Sequence, residues 1–337
     1  MCGGKVAAVT REETMAHLIR IVLLLVACAC VAGTALAQKY PTRTVRIIVP
    51  QVPGDPCDIF GRLLGQRMGE RLGQQFVVDN RPGASGTIGL ALAAQAPGDG
   101  YTIACGQGGN MSVIPHTMKN VPYNALKDFT PVALIATNYL ALVVHPSTPF
   151  KNVGELIEYL KAHPGKISFA SNGEGAFVHM ATEQFRSAVG GFEYLHVPYK
   201  GVAEMGREIM AGRVDAGISS FTGMYPFIQS GRVRLLGIAK ATRAPNYPDL
   251  PTIAETVPGF ESGGWFGFVV PASVPKDIIA VLNREANAAM KVPEVRAKLE
   301  ALGLEVWNES PEYLGKLMKS EYDKYGKVAR DIGLVPK

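Results

Sequence analysis

Cysteine is scarce in this chain of 337 residues, and its few copies lie far apart. Cys2, Cys28 and Cys30 fall near the N-terminus, which leaves Cys57 and Cys105 in the rest of the sequence. Zinc ligands usually come in close Cys/His groups, and a disulfide-built fold needs several cysteine pairs, so both classes are excluded. We interpret Cys57 as a small packing residue, as half of a disulfide with Cys105, or as a reactive thiol beside a helix N-terminus.

Long apolar runs are also missing, apart from one near the N-terminus. Ile21–Val31 is unbroken and follows Arg20, but it falls short of the roughly 20 apolar residues that a membrane-spanning helix needs. Ala35-Leu36-Ala37 then supplies a small-x-small triplet that suits a signal peptidase. The pattern predicts a secretory signal peptide over residues 1–37, with the mature chain beginning near Gln38.

A lipoprotein signal is the alternative, because Leu25-Val26-Ala27-Cys28 resembles a lipoprotein cleavage box. Cleavage there would leave Cys28 as a lipid-anchored N-terminus. Both signals export the mature chain to a compartment that permits disulfides. Its length of roughly 300 residues is enough for two domains with sizeable cores.

Clusters of basic residues are absent. The chain has 34 Lys and Arg residues against 29 Asp and Glu residues, which is a formal net charge of +5. No stretch combines clustered Lys and Arg with aromatic residues, so the footprint of a nucleic-acid-binding protein is missing. A weakly positive surface instead favours small anions as ligands.

Catalytic signatures are absent as well, since no G-x-S-x-G elbow, P-loop or H-E-x-x-H motif occurs. His179 and Glu183 share a predicted helix face, but no further ligands accompany them, so we predict no metal site. The residue types of a catalytic triad occur at Ser171, His196 and Asp58, but any chain of this length offers such a combination, so we do not predict a triad. We therefore expect no catalytic residue, no cofactor and no enzymatic activity.

Short β-branched runs alternate with amphipathic stretches at helical spacing, which is typical of an α/β fold with mainly parallel sheets and helices on both faces. In the opening unit, strand Val45–Pro50 precedes a helix that ends at Gly73, and strand Phe76–Asp79 follows. Further helices are predicted near 88–94, 152–162, 178–189, 203–211, 275–301 and 311–331. Further strands are predicted near 101–105, 167–170, 193–197, 214–219 and 233–239.

Two apolar segments, Tyr139–Pro146 and Gly264–Pro271, look like crossings between two lobes. The prediction is a discontinuous first lobe, residues 38–143 and 264–337, and a second lobe at 144–263. Clefts between domains are favoured sites for small ligands, and loops at the carboxyl ends of strands supply the contacts.

Gly-rich or polar loops follow several predicted strands and precede helices, where free backbone N–H groups and the helix dipole attract a carboxylate or a phosphate. For the first loop a purely structural role stays open, since Asp55, Pro56 and Asp58 have nearly the spacing of a capping box. The candidate ligand-binding residues are Pro53, Gly54, Asp55, Cys57, Asp58, Gln107, Gly108, Asn110, Ser171, Asn172, Gly175, Phe177, His179, Pro198, Tyr199, Ser219 and Ser220.

Eight ordered motifs carry a resemblance to a known family, and their order makes it specific. They are Tyr40–Pro50, Val78–Ala84, Gly98–Thr102, Lys127–Val132, His196–Gly201, Tyr247–Glu255, Gly264–Gly267 and Pro293–Arg296. Over essentially its whole mature length the chain resembles the Bug-type periplasmic receptors of tripartite tricarboxylate transporters.

This resemblance implies a two-lobed periplasmic binding protein of the Venus-flytrap, type II-like fold. Such a receptor, expected as a monomer without a cofactor, holds a mono- or dicarboxylate through loop amides, hydroxyls and ordered water. It then delivers the ligand to the permease subunits of a membrane transporter. A periplasmic sensor that feeds a signalling partner, and a secreted enzyme on the same scaffold, are the alternatives.

The binding loops depart from the pattern of similar receptors. Their first loop usually reads Pro-Gly-Gly-Gly-Thr-Asp, whereas this chain has Asp55 and a second proline there, and we expect Asp55 to repel a second anionic group. Phe177 and Glu174 replace small or neutral residues, and Ser219-Ser220-Phe221 stands where Phe-Asp-Asn is usual. An added aromatic wall suits a ring-bearing ligand, so we predict an aromatic mono- or dicarboxylate.

Overall fold

Ten helices and ten strands make up the regular structure of the described part of the chain in the computed structural model. The described residues are 40–199, 201–244 and 247–334. The predicted signal peptide, the alternative lipid anchor at Cys28 and Lys200 of the His196–Gly201 motif lie outside them. The chain divides after Thr42, and every element below belongs to the unit that begins at Arg43.

The bounds of these elements follow the predicted alternation. The strands are β1 Val45–Val49, β2 Phe76–Asn80, β3 Thr102–Gln107, β4 Phe129–Val144, β5 Ser168–Ser171, β6 Leu195–Pro198, β7 Ala216–Ser220, β8 Arg234–Ile238, β9 Gly263–Pro271 and β10 Glu305–Val306. The helices are α1 Pro56–Leu72, α2 Thr87–Ala94, α3 Ile114–Thr117, α4 Val153–Ala162, α5 Phe177–Ala188, α6 Val202–Met210, α7 Phe221–Gln229, α8 Lys276–Met290, α9 Pro293–Ala301 and α10 Pro311–Asp331.

Helix α1 shows how local sequence sets these bounds. Pro56 is its first residue, where the missing N–H costs nothing because that group has no partner inside a helix. Phe60, Leu64 and Met68 recur at every fourth position and are fully buried against the sheet. Gly73 ends the helix in the left-handed region at φ 69°, which glycine adopts without a steric penalty.

The strands form one continuous sheet in the order β2-β1-β3-β9-β4-β7-β5-β6, and β8 and β10 also pair with β4. The long strand β4 joins two half-sheets. It pairs with β9 over Phe129–Tyr139 and with β7 and β8 over Leu140–Val144. We call the half-sheet of β1, β2, β3 and β9 with its helices the first lobe, and that of β5 to β8 with its helices the second lobe.

Strand direction is more mixed than the sequence predicts. The outer pairs β1–β2, β1–β3, β5–β6 and β5–β7 are parallel, as expected for helix-connected strands. The central pairs β3–β9, β9–β4 and β4–β7 are antiparallel. The reason is that β4 leaves the first lobe and β9 returns beside it, so the two crossing strands must run in opposite directions.

The second half-sheet is buried on both faces. Along β4, Leu140, Leu142 and Val144 belong to one apolar cluster, and the alternate residues Ala141 and Val143 belong to another. Side chains of a strand alternate between the two faces, so helices must cover both sides of this half-sheet. The first lobe has its own core, to which α10 contributes Leu314 and Met318.

Three helical segments differ from the prediction, one of them the short helix α3, which was not predicted. The expected helix 275–301 is divided into α8 and α9 because Pro293 lacks the N–H that would continue the first helix, and it starts the second instead. Helix α7 was not predicted, since Gly223 and Pro226 lie inside it and both residues normally weaken a helix. None of the helices in the described ranges is both long and apolar enough to cross a membrane.

Candidate functional site

The cleft between the two lobes contains two adjoining cavities of about 450 and 360 Å³. Both cavities share residues from the first lobe and from the second lobe: Gln51, Asp55, Gln107, Gly109, Asn172 and Phe177. A wider groove of about 800 Å³ lies between α1 and the edge strand β2, but only the first lobe lines it. A further cavity of about 420 Å³ also has lining residues from both lobes, among them Lys240 and Lys324, but no predicted site residue lines it, so the two adjoining cavities are the candidate site.

Helix N-termini from both lobes meet at this cleft. The first residues of α1, α2, α5, α6 and α7, or the residues just before them, line the cavities. In none of these helices does the preceding residue form a side-chain capping bond, but in α5 Asn172 Oδ1 accepts the Val178 N–H at 3.3 Å. By contrast, Asn152 caps α4 and Ser310 caps α10, away from the cleft. Uncapped helix N-termini present N–H groups and the positive end of the helix dipole, so the cleft favours an anion.

Two buried side chains add hydrogen-bond donors to the cleft. Asn110 and Trp265 are each 1% exposed, and Asn110 Nδ2 and Trp265 Nε1 have no hydrogen-bond partner among the described residues. Asn110 Oδ1 accepts a hydrogen bond of 3.1 Å from the backbone N–H of Gln107, which identifies the other amide atom as the donor nitrogen. Buried donors without an acceptor are costly to a fold, and a bound carboxylate would satisfy them.

Asp55 is the only charged side chain among the described residues that line the cavities. Burial and the neighbouring Asp58 carboxylate raise the pKa of Asp55. No described lining residue is basic, so the groups that these residues offer to an anion are dipoles and N–H groups.

Asp58 stabilises the first binding loop instead of lining the cleft. Its carboxylate accepts the backbone N–H of Gly54 at 3.0 Å and the Arg62 side chain at 2.8 Å. Burial by itself would raise the pKa of Asp58, but these bonds outweigh it and lower the pKa. The predicted capping box is not formed, since Asp55 makes no side-chain capping bond.

Cys57 and Cys105 form a disulfide, and both are fully buried. The alternative of a reactive Cys57 thiol is therefore wrong, and the side chain of Cys57 is not available to a ligand. The bond ties the first turn of α1 to β3, and each of these elements carries a cleft residue, Asp55 and Gln107 respectively.

A cluster of two histidines and a serine supports the second-lobe binding loop from behind. Ser171 Oγ lies 2.6 Å from His196 Nε2, and the backbone N–H of Gly175 donates to His179 Nδ1 at 2.9 Å. The two imidazole rings stack with centroids 4.1 Å apart. The triad drawn from the sequence is not assembled, because its third member, Asp58, is bound to Arg62 in the other lobe.

The structure brings part of the predicted site together. Seven predicted residues line the cavities: Asp55, Gln107, Gly108, Asn110, Asn172, Phe177 and Ser220. Ten do not line them: Pro53, Gly54, Cys57, Asp58, Ser171, Gly175, His179, Pro198, Tyr199 and Ser219. Most of these ten lie in the same loops, or in the cluster behind them, and position the residues that do line the cleft.

Some lining residues lie on the crossing strands themselves and were not predicted from the sequence. Asn138 and Leu140 of β4 and Trp265 and Phe266 of β9 form the floor of the cleft, together with Gln51 after β1. Gly264–Gly267 was recognised only as a crossing and as a family motif. The geometry of a crossing strand could have identified these residues, because a strand that passes between two lobes exposes its middle residues to the cleft.

The neutral state of His179 should make stability depend on pH. Burial and the neighbouring His196 lower the pKa of His179 from its ordinary 6.5 to about 4, against the opposing carboxylates of Glu183 and Glu174. A lowered histidine pKa means that its contribution to stability is present above pH 6.5 and is lost as the pH falls toward 4. Protonation at Nδ1 would also break the bond from Gly175.

We therefore expect His179→Gln to flatten the fall in the free energy of unfolding between pH 6.5 and 4 by up to about 1.4 kcal/mol per pH unit, the slope for one proton. Urea unfolding at a series of pH values measures this slope. His163→Gln is the control, because His163 is exposed and its ring contacts Tyr159 of the preceding helix, through the Tyr159 carbonyl and the stacked Tyr159 ring. Equal slopes for wild type and both variants would contradict the assignment to His179.

Comparison with known proteins gives consistent matches along most of the chain. A family model described as the tripartite tricarboxylate transporter family receptor matches residues 60–334. A UPF0065 protein from the tcbD-tcbE intergenic region of Pseudomonas sp. strain P51 is 38% identical over 314 residues, which are 92% of this chain and 93% of that protein. Protein BugT of Bordetella pertussis is 32% identical over 321 residues, which are 95% of this chain and 98% of BugT.

Solved structures show the same similarity in three dimensions. R. palustris Rpa4515 with adipate has a TM-score of 0.76 and 35% identity, over 88% of this chain and 100% of that chain. MatC (Rpa3494) from Rhodopseudomonas palustris with bound malate has a TM-score of 0.72 and 30% identity, over 86% of this chain and 99% of that chain.

Proposed function

The chain belongs to the tripartite tricarboxylate transporter receptor family, and from this premise we propose that it captures a small organic carboxylate in its interlobe cleft. The resemblance to Bug-type receptors and the two-lobed fold are both confirmed by these matches. We propose further that the protein works in the periplasm, as a monomer, and delivers its ligand to the permease subunits of a tripartite transporter.

The observation that carries this proposal is the set of donors in the cleft. Five helix N-termini, four of them without a side-chain capping bond, line cavities that contain no described basic residue. Asn110 Nδ2 and Trp265 Nε1 are donors there without a partner among the described residues. A carboxylate is compact, accepts up to four hydrogen bonds and is stabilised by helix dipoles.

Capture follows from the position of the cleft. The chain passes between the lobes at Tyr139–Leu140 in β4 and again just before Gly263 in β9, so these two crossings are the natural hinge. We keep the predicted lobes, 38–143 with 264–337 and 144–263, as the bodies that move. A ligand that contacts both lobes stabilises the closed form by its differential affinity for that form.

Two observations support this class of ligand. Relatives have been solved with adipate and with malate, which are small carboxylates. In this chain Phe177, Trp265 and Phe266 supply aromatic surface to the same cavity. We propose that a carboxylate with an apolar or aromatic body binds between them, since aromatic rings prefer edge or offset contacts with such walls.

A thermal-shift screen of residues 38–337 tests the proposal. We expect aliphatic or aromatic carboxylates to raise the unfolding temperature, because a ligand at 100 times its dissociation constant adds about 2.7 kcal/mol to the stability of the folded state. Matched neutral amides and sugars serve as the control. A response to the amides or sugars but to no carboxylate would overturn the assignment.

A further inference from the structure

Asp55 occupies a central place in the cleft. It is one of the few residues that line both cavities, and it immediately precedes the first turn of α1. Its side chain makes no hydrogen bond or ion pair with another described residue, although Asp58 three residues later is fully paired with Arg62 and Gly54. Two carboxylates in one loop thus have different roles, one satisfied by the protein and one facing the ligand space.

The Asp55 carboxylate is partly buried, has no partner among the described residues and lies in a cleft that we propose to bind an anion, so its charged form is unfavourable there. Burial and Asp58 both disfavour its charged form, so its pKa is raised. A ligand with a second carboxylate near Asp55 would add like-charge repulsion, which the described lining residues cannot offset because none of them is basic. A ligand ammonium beside Asp55 would remove the penalty, since a charge-assisted hydrogen bond is stronger than a neutral one.

Building on the proposed function, we propose that Asp55 selects ligands that carry one carboxylate and one ammonium group. The carboxylate binds the helix N-termini with Asn110 and Trp265, and the ammonium group binds Asp55. The body of the ligand lies against Phe177, which borders both cavities. Asp55 is thus a specificity-determining residue that favours a zwitterion over a dicarboxylate of the same length.

Two sets of matched ligands test this by isothermal titration calorimetry. The aliphatic set is 6-aminohexanoate, hexanoate and adipate, and the aromatic set is 4-(aminomethyl)benzoate, 4-methylbenzoate and terephthalate. Within each set only the group opposite the carboxylate changes, from ammoniomethyl to methyl to carboxylate. In at least one set we expect wild type to bind the ammonium member about tenfold or more tighter than the methyl member, and the dicarboxylate most weakly.

Asp55→Asn should abolish this preference and improve dicarboxylate binding about tenfold, because it removes the charge and keeps the size. Asp55→Gly, which restores the glycine usual in similar receptors, is the second variant if the asparagine variant folds poorly. Glu158→Gln is the control, since Glu158 is an exposed acidic residue of α4 that lines neither cavity. This variant should keep the wild-type order.

The possible outcomes separate this inference from the proposed function. If members of a set bind wild type but the dicarboxylate is tightest, or the order is unchanged in Asp55→Asn and Asp55→Gly, the role of Asp55 is overturned while the carboxylate receptor stands. If no member of either set binds, and the wider carboxylate screen is also silent, both proposals fail.

Discussion

Replacing Cys57 and Cys105 together by alanine should lower the free energy of unfolding by about 4 kcal/mol, the loop-closure value for a cross-link across 48 residues. The disulfide restricts the unfolded chain, and its removal restores that conformational freedom. Both cysteines are fully buried between α1 and β3, so the loss of sulfur packing adds to the effect. Urea unfolding of the double variant against oxidised wild type measures the difference.

Reduced wild type is the matched control for that experiment, because it has the same side-chain volume without the bond. Its free energy of unfolding should be well below that of the oxidised protein and slightly above that of the double alanine variant. The disulfide also fixes the N-terminus of α1 relative to β3, and hence Asp55 relative to Gln107. Ligand affinity should therefore fall in both forms. A stability difference below about 1 kcal/mol between oxidised and reduced protein would contradict the loop-closure argument.

Local sequence was enough to predict most elements of the fold. Strand β1 and the first half of β2 are rich in apolar and β-branched residues, and α1 and α10 have a helical repeat with clear start signals. Helix α7 could not be predicted in this way, because its internal Pro226 opposes a helix. Tertiary burial of Phe221 and Met224 outweighs that local preference.

The candidate loops that line the cleft could be predicted from the sequence, but not the role of each residue in them. Asp55 and Asp58 are close neighbours with the same chemistry, and only the folded loop shows that Gly54 and Arg62 bind one and leave the other facing the cleft. The same holds for His179, which the sequence places beside the ligand and the structure places behind the loop. Such distinctions depend on side-chain direction and on partners distant in sequence.

Trp265 was missed for a related reason. A tryptophan in an apolar crossing strand is most simply read as core, and it is indeed buried in the first-lobe core. Its indole N–H has no hydrogen-bond partner among the described residues. Whether such a partner exists depends on which groups the fold places beside the indole. No pattern along the chain records that a buried donor lacks an acceptor.

Loss of that single donor should weaken ligand binding 10- to 100-fold, the range for a hydrogen bond to a charged group. Trp265→Phe removes the indole N–H and keeps an aromatic ring in the cleft. The chain has only two tryptophans, and Trp307 provides a matched control because its Nε1 donates to Thr137 Oγ1 at 2.8 Å, outside the cleft cavities. Trp307→Phe should lower stability by about 1 kcal/mol and leave affinity unchanged.

An isosteric replacement separates the donor from the packing. In a Trp307→Phe background Trp265 is the sole tryptophan, so biosynthetic substitution by benzothienylalanine replaces only its N–H by sulfur while the bicyclic ring stays. Titration with a carboxylate found in the thermal-shift screen should then show the same 10- to 100-fold loss as Trp265→Phe. If affinity is retained with benzothienylalanine but lost with phenylalanine, Trp265 acts by shape alone, and the carboxylate must take its hydrogen bonds from Asn110 and the helix N-termini.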